Sequence, residues 1–71
     1  MFNVRLKELR KSRNLTQKQV AFGVEMTDRG FQDLEYGNVK PSHDTIIALC
    51  KYFDVSADWL LGLSDNPKPN K

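Results

Sequence analysis

The stretch Leu15-Thr16-Gln17-Lys18-Gln19-Val20-Ala21-Phe22-Gly23-Val24-Glu25-Met26-Thr27-Asp28-Arg29-Gly30-Phe31-Gln32-Asp33-Leu34 decides the fold. It holds two helix starts of the same design. Thr16 is followed three residues later by Gln19, the spacing of a capping box, in which the Thr hydroxyl accepts from the Gln19 amide and the Gln19 side chain reaches back. Leu15 before the cap and Val20 after it form the matching hydrophobic staple. Thr27 repeats the logic as the cap of the next helix, with Met26 and Phe31 as its staple. Val20, Ala21 and Val24 give the first of these helices a buried face. Phe31 and Leu34 lie three apart and give the second its own. Only Glu25 to Thr27 separates the two, so they meet at a tight turn. Each presents a capped, positive amide end that is free to meet an anion.

Outward from this pair the chain reads as further short helices divided by cap signals. Upstream, residues 3–13 place Leu6 and Leu9 on one side with basic residues around them. Phe2 extends that stripe, and Asn14 suits a left-handed helix end. Downstream, Gly37 stops the third helix. Asn38-Val39-Lys40-Pro41 is a loop, with Lys40 held extended by the proline after it. Ser42 caps a fourth helix, and Asp44 suits its positive end. Ile46, Leu49, Cys50 and Phe53 fall at i, i+3, i+4 and i+7, the spacing of a core stripe. Val55-Ser56 opens a short fifth helix, with Val55 stapled to Leu60 and Asp58 in its first turn, and Gly62 ends it. From Leu63 the chain is polar and broken by prolines. The expected division is therefore a folded domain over 1–62 and a disordered tail or linker over 63–71. No alternating strand pattern of useful length occurs, so the expected fold is all-α, a compact five-helix bundle.

Length and composition limit what such a bundle can do. The chain has 71 residues, of which 39% are apolar and 28% charged. That describes one small globular domain with a thin core, too small for a deep, water-excluding pocket. Cys50 stands alone, so it makes no internal disulfide and no zinc site; its place in the core stripe fits a small buried hydrophobe. His43 is the one histidine, beside the Lys40 loop, and reads as a solvated residue or a phosphate contact. There is no Ser/His/Asp or Cys/His set, no glycine-rich phosphate loop and no metal-ligand spacing, so no enzyme, metal or cofactor is expected. No run approaches the ~18 apolar residues of a membrane span. The opening Met1-Phe2-Asn3-Val4-Arg5 has no apolar signal-peptide region, which makes a cytoplasmic location the default.

Charge is unevenly placed. Residues 1–20 carry Arg5, Lys7, Arg10, Lys11, Arg13 and Lys18 against Glu8 alone, a net +5, while residues 21–71 carry five basic and eight acidic residues, a net −3. Such asymmetry suits either a polyanion on one face or a solvated helix surface.

Several separated blocks carry a resemblance. Leu15-Thr16-Gln17-x-x-Val20-Ala21, Val24-x-Met26-Thr27, Phe31-x-x-Leu34-Glu35-x-Gly37, Lys40-Pro41-Ser42 and Val55-Ser56-x-Asp58-Trp59-Leu60-Leu61-Gly62 resemble the Cro/CI-type (XRE-like) helix-turn-helix regulators of phages and bacteria. The likeness spans about residues 3–62. It implies a lambda-repressor-like bundle whose third helix lies in the DNA major groove. It also implies that Gln17 contacts a phosphate and supports that helix, that Asn38 and Lys40 touch the DNA backbone, and that Arg10 and Glu35 form a partly buried structural pair. Asp28, Arg29, Gln32 and Asp33, with Thr27 at the helix start, match the groove-facing positions. Glu25 departs from the pattern, which usually has Gly there; a left-handed backbone at Glu25 costs about 1 kcal/mol.

The chemistry of these residue types fits a duplex. Arg10, Arg13, Lys18 and Lys40 offer charge to phosphates, and the capped ends at Thr16 and Thr27 offer amides. Arg29 donates twice to guanine, Gln32 suits adenine, and Asp28 or Asp33 accepts from cytosine. Asp28 equally suits the dipole of its own helix. The expected base-reading set is thus Asp28, Arg29, Gln32 and Asp33. The expected phosphate-contacting set is Arg10, Gln17, Lys18, Thr27, Asn38, Lys40 and His43. Trp59 suits either the core or a dimer interface; Phe22 and Leu61 are further candidates for a dimer or partner surface. The expected function is a transcriptional repressor that occupies a pseudo-palindromic double-stranded operator as a homodimer. Alternatives are an antitoxin that also binds a protein toxin, a regulator that touches polymerase, and a protein-interaction module.

Overall fold

A hydroxyl side chain opens each helix after the first. The structure, a computed structural model, describes residues 2–68. Over these residues it has α1 (Phe2–Ser12), α2 (Gln17–Gly23), α3 (Asp28–Tyr36), α4 (His43–Phe53) and α5 (Ala57–Leu60), with no strand. Thr16 Oγ1 accepts from Gln19 N at 3.0 Å, and Gln19 Oε1 accepts from Thr16 N at 2.8 Å, so the capping box is complete. Thr27, Ser42 and Ser56 cap α3, α4 and α5 in the same sense, accepting from Gly30, Thr45 and Trp59 amides.

The helix ends share a second device. A left-handed residue follows each helix: Asn14 (φ 57°), Glu25 (φ 59°), Gly37 (φ 77°), Asp54 (φ 56°) and Gly62 (φ 86°). The next amide then bonds a carbonyl five residues back, as Leu15 to Arg10, Met26 to Ala21, Asn38 to Asp33, Val55 to Cys50 and Leu63 to Asp58. This satisfies carbonyls the helix leaves orphaned and turns the chain sharply. Glu25 therefore does sit in the strained region, between α2 and α3. Replacing it by glycine removes the Cβ clash but loosens the unfolded chain. Glu25→Gly is expected to raise stability by up to about 1 kcal/mol in urea unfolding, and a loss of stability would contradict this reading of the turn.

The core lies where α1, α2 and α3 meet α4 and α5. Leu6, Leu9, Val20, Ala21, Val24, Phe31, Leu34, Leu49, Phe53, Val55 and Leu60 are buried. Phe2, Leu15, Met26 and Trp59 pack against them from the edge. The α4 stripe is narrower than its spacing suggests. Leu49 and Phe53 are buried, Cys50 is only partly covered, and Ile46 is half-exposed in the first turn. Burial still pushes the Cys50 thiol above its ordinary value, which leaves it a poor nucleophile. The side of Gly23 is filled by the Tyr52 ring, against which a Cβ there would collide. That contact accounts for a glycine late in α2.

Residues 63–67, expected to leave the domain, turn back onto it. The Ser64 carbonyl accepts from Arg5 at 2.8 Å, Asp65 lies 3.6 Å from the same guanidinium, and the Pro67 carbonyl accepts from Ser56 N at 2.8 Å. Both hydrogen bonds end on backbone carbonyls, so a polar, proline-broken composition does not disclose them. Residues 69–71 of the expected tail lie outside the described residues.

Candidate nucleic-acid interface

α3 presents two different edges. Phe31, Leu34 and Glu35 face inward and are buried. Asp28 and Arg29 are exposed, and Gln32 and Asp33 are half-exposed, so the expected base-reading residues occupy the outer side of one nine-residue helix. Arg29 Nε lies 3.5 Å from Asp33 Oδ1, an ion pair across one helical turn. The sequence carried this signal as opposite charges four residues apart, yet the separate reading of each residue missed it.

The inner edge is held by a polar network. Arg10 Nε donates to Glu35 Oε2 at 2.6 Å and Arg10 NH2 to Glu35 Oε1 at 3.1 Å, the two-point fit of a guanidinium to a carboxylate. Arg10 NH1 donates to the Leu15 carbonyl at 2.9 Å. Gln17 Nε2 donates to Glu35 Oε1 at 3.0 Å, so the start of α2 joins the same carboxylate. Glu35 thus ties α1, α2 and α3 together. No buried side-chain nitrogen or oxygen among the described residues lacks a partner. The expected structural pair is present and Gln17 supports α3 through it. Arg10 was also expected at a phosphate. It is 8% exposed, and all three of its nitrogens are engaged within the domain.

Two more arginines of the basic segment make contacts within the domain. Arg13 donates to the Phe53 carbonyl at 2.8 Å and lies over the Phe53 ring, placing a cation at the C-terminal end of α4. Arg5 donates to the Trp59 and Ser64 carbonyls and lies 5.1 Å from the centre of the Trp59 ring. Arg13 is exposed and yet has a partner within the domain, which its charge alone did not show. Lys7, Lys11 and Lys18 are exposed. The excess of positive charge over residues 1–20 is thus shared between arginines that have partners within the domain and an exposed set of lysines.

The other expected backbone-contacting residues are exposed. Lys18 lies in the first turn of α2, Thr27 caps α3, Asn38 and Lys40 follow its end, and His43 opens α4. Gln17 is half-buried. Among the candidate partner residues, Phe22 is 87% exposed and Leu61 is 38% exposed. Trp59 is half-buried against the core under Arg5.

A family model described as helix-turn-helix matches residues 6–60, which takes in α2, its turn and α3. The chain belongs to the helix-turn-helix family. Relatives within it are transcriptional regulators. The chain is 36% identical over 69 residues to the uncharacterized HTH-type transcriptional regulator YobD of Bacillus subtilis, covering 97% of this chain and 62% of that protein. It is 33% identical over 67 residues to the HTH-type transcriptional regulator ImmR of the same species, covering 94% and 53%. It is 33% identical over 60 residues to the HTH-type transcriptional activator BcrR of Enterococcus faecalis, covering 84% and 29%. The chain thus spans less than two thirds of the length of each of these relatives. Its helix-turn-helix bundle also matches that of the P22 c2 repressor, solved with a synthetic operator, at a TM-score of 0.84, 22% identity and coverage of 90% of this chain and 97% of that one. The lambda-repressor-like, five-helix fold expected from the sequence is the fold observed.

Proposed function

We propose that this chain binds double-stranded DNA sequence-specifically and acts as a transcriptional repressor, with α3 in the major groove. The carrying observation is the two-edged α3: an outer row of exposed Asp28 and Arg29 and half-exposed Gln32 on a helix whose inner edge Glu35 fixes to α1 and α2. The likeness to a repressor solved with its operator supports the placement, and the names of the relatives support a regulatory role. Lys18, Thr27, Asn38, Lys40 and His43 supply the backbone contacts that set register, with Gln17 beside them. The chemistry is binding alone, in the cytoplasm and on the nucleoid, without cofactor or catalysis.

One recognition helix reads too few base pairs to mark a site in a genome. The active species is therefore a homodimer on a pseudo-palindrome, with half-sites about 34 Å apart. Leu61, at the exposed end of α5, is the candidate for the contact between copies. A second reading is an antitoxin that also binds a protein toxin, favoured by one observation: Phe22 stands almost fully exposed on α2.

Fluorescence anisotropy on duplex DNA at two salt concentrations tests the binding. Affinity that falls steeply with salt supports it, and no binding at low salt refutes it. Lys40→Ala is expected to weaken all duplexes alike and to reduce the salt slope by about 1, because a phosphate contact carries no sequence information. A loss confined to one sequence would place Lys40 at a base instead.

A further inference from the structure

We propose that Asp33 is a positioning residue for Arg29: it orients the guanidinium toward a guanine and reads no base itself. The inference rests on the operator-binding reading above. Arg29 and Asp33 stand four apart on α3, with Nε 3.5 Å from Oδ1; the arginine side chain is 86% exposed and the aspartate side chain 26% exposed. The carboxylate is therefore the inner member of the pair, and the guanidinium the outer one. The helix beneath them is fixed, since Phe31 and Leu34 are buried and Glu35 is bound to Arg10 and Gln17.

This arrangement divides the guanidinium. With Nε as the nitrogen paired with the carboxylate, at 3.5 Å, NH1 and NH2 remain to donate to guanine O6 and N7, the two-point contact that distinguishes guanine in the major groove. An unrestrained arginine loses much rotamer freedom when it docks; one already held by its neighbour loses less. The pairing also explains how an acid is tolerated on a surface that meets phosphates. Asp33 opposes a cation of its own chain, and the pair presents little net charge. The half-covered carboxylate lies behind Arg29, which makes direct acceptance from a cytosine a poorer use of it.

The test is binding-site selection from a randomised duplex pool with the wild-type chain, Arg29→Ala, Asp33→Asn and Asp33→Glu, each also followed by thermal unfolding. Arg29→Ala and Asp33→Asn are expected to flatten the same base position of the motif and leave the others intact. Preference there should fall about tenfold, within the range of one good two-point base contact. Asp33→Glu should restore the preference. Asp33→Asn should also bind unrelated duplexes more tightly, since a negative charge near phosphates is gone, with its melting temperature little changed. Three results would overturn the proposal. Asp33→Asn could flatten a different position from Arg29→Ala, which makes Asp33 a base reader. It could leave every position intact. It could lower the whole motif together with the melting temperature, which makes Asp33 merely structural. A wild-type pool with no enriched motif refutes operator binding itself, and the positioning role with it.

Discussion

Glu35→Ala is expected to cost about 3–5 kcal/mol in urea unfolding, the largest effect of any single side chain discussed for this domain. The Glu35 carboxylate is 0% exposed and accepts from Arg10 twice and from Gln17 once. Its removal leaves a buried guanidinium with the Leu15 carbonyl as its one remaining partner. An unpaired buried charge costs several times what a surface ion pair contributes, which is about 0–1 kcal/mol. In a domain with about 5–15 kcal/mol of total stability, a loss of this size removes much of the folded population at physiological temperature. Arg10→Met with Glu35→Leu in one chain should recover most of the loss, because both charges leave together. A Glu35→Ala cost below about 1 kcal/mol would mean that the pair is solvated and that α3 is not held through it.

Arg29→Ala gives the second large effect, on binding rather than stability. Affinity for the preferred site should fall by about 1–3 kcal/mol, the worth of one two-point base contact, while affinity for unrelated duplexes falls far less. The side chain is 86% exposed, so the folded domain should unfold at a nearly unchanged denaturant concentration. Competition with unlabelled specific and non-specific duplexes separates the two affinities. An equal loss on every sequence would move Arg29 from the bases to the phosphates.

The elements that were legible in the sequence are those set by neighbours along the chain. Thr16, Thr27, Ser42 and Ser56 announce helix starts because a hydroxyl and the amide three residues on lie within one turn. Asn14 and Gly37 announce helix ends because their residue types tolerate a left-handed backbone. Asp54 ends α4 in the same way and was missed; aspartate adopts that conformation readily but signals it weakly. The outer row of α3 followed from the burial of Phe31 and Leu34, which fixes the opposite side of the helix.

The illegible parts involve distant partners. Arg5 meets the Trp59 carbonyl 54 residues away, and Arg13 meets the Phe53 carbonyl 40 residues away. A sequence shows such charges but not their acceptors, since any backbone carbonyl serves. Composition alone therefore showed Arg13 as charge on offer to phosphates, but not that it donates to the last carbonyl of α4. The Arg10–Glu35 pair, 25 residues apart, was legible through its resemblance to a known pattern; the third member, Gln17, proved to support α3 through that same carboxylate. Ser64 and Pro67 escaped for the reason that hid Arg5: their contacts run through main-chain carbonyls.

The most direct test of sequence-specific DNA binding is selection of bound duplexes from a randomised pool by the wild-type chain, read by sequencing at two salt concentrations. A dimeric operator-binding domain predicts a two-fold symmetric motif with half-sites one helical turn apart, and affinity that falls steeply as salt rises. A pool that returns unenriched at low salt would contradict it, and would leave α3 as a surface for a partner other than DNA.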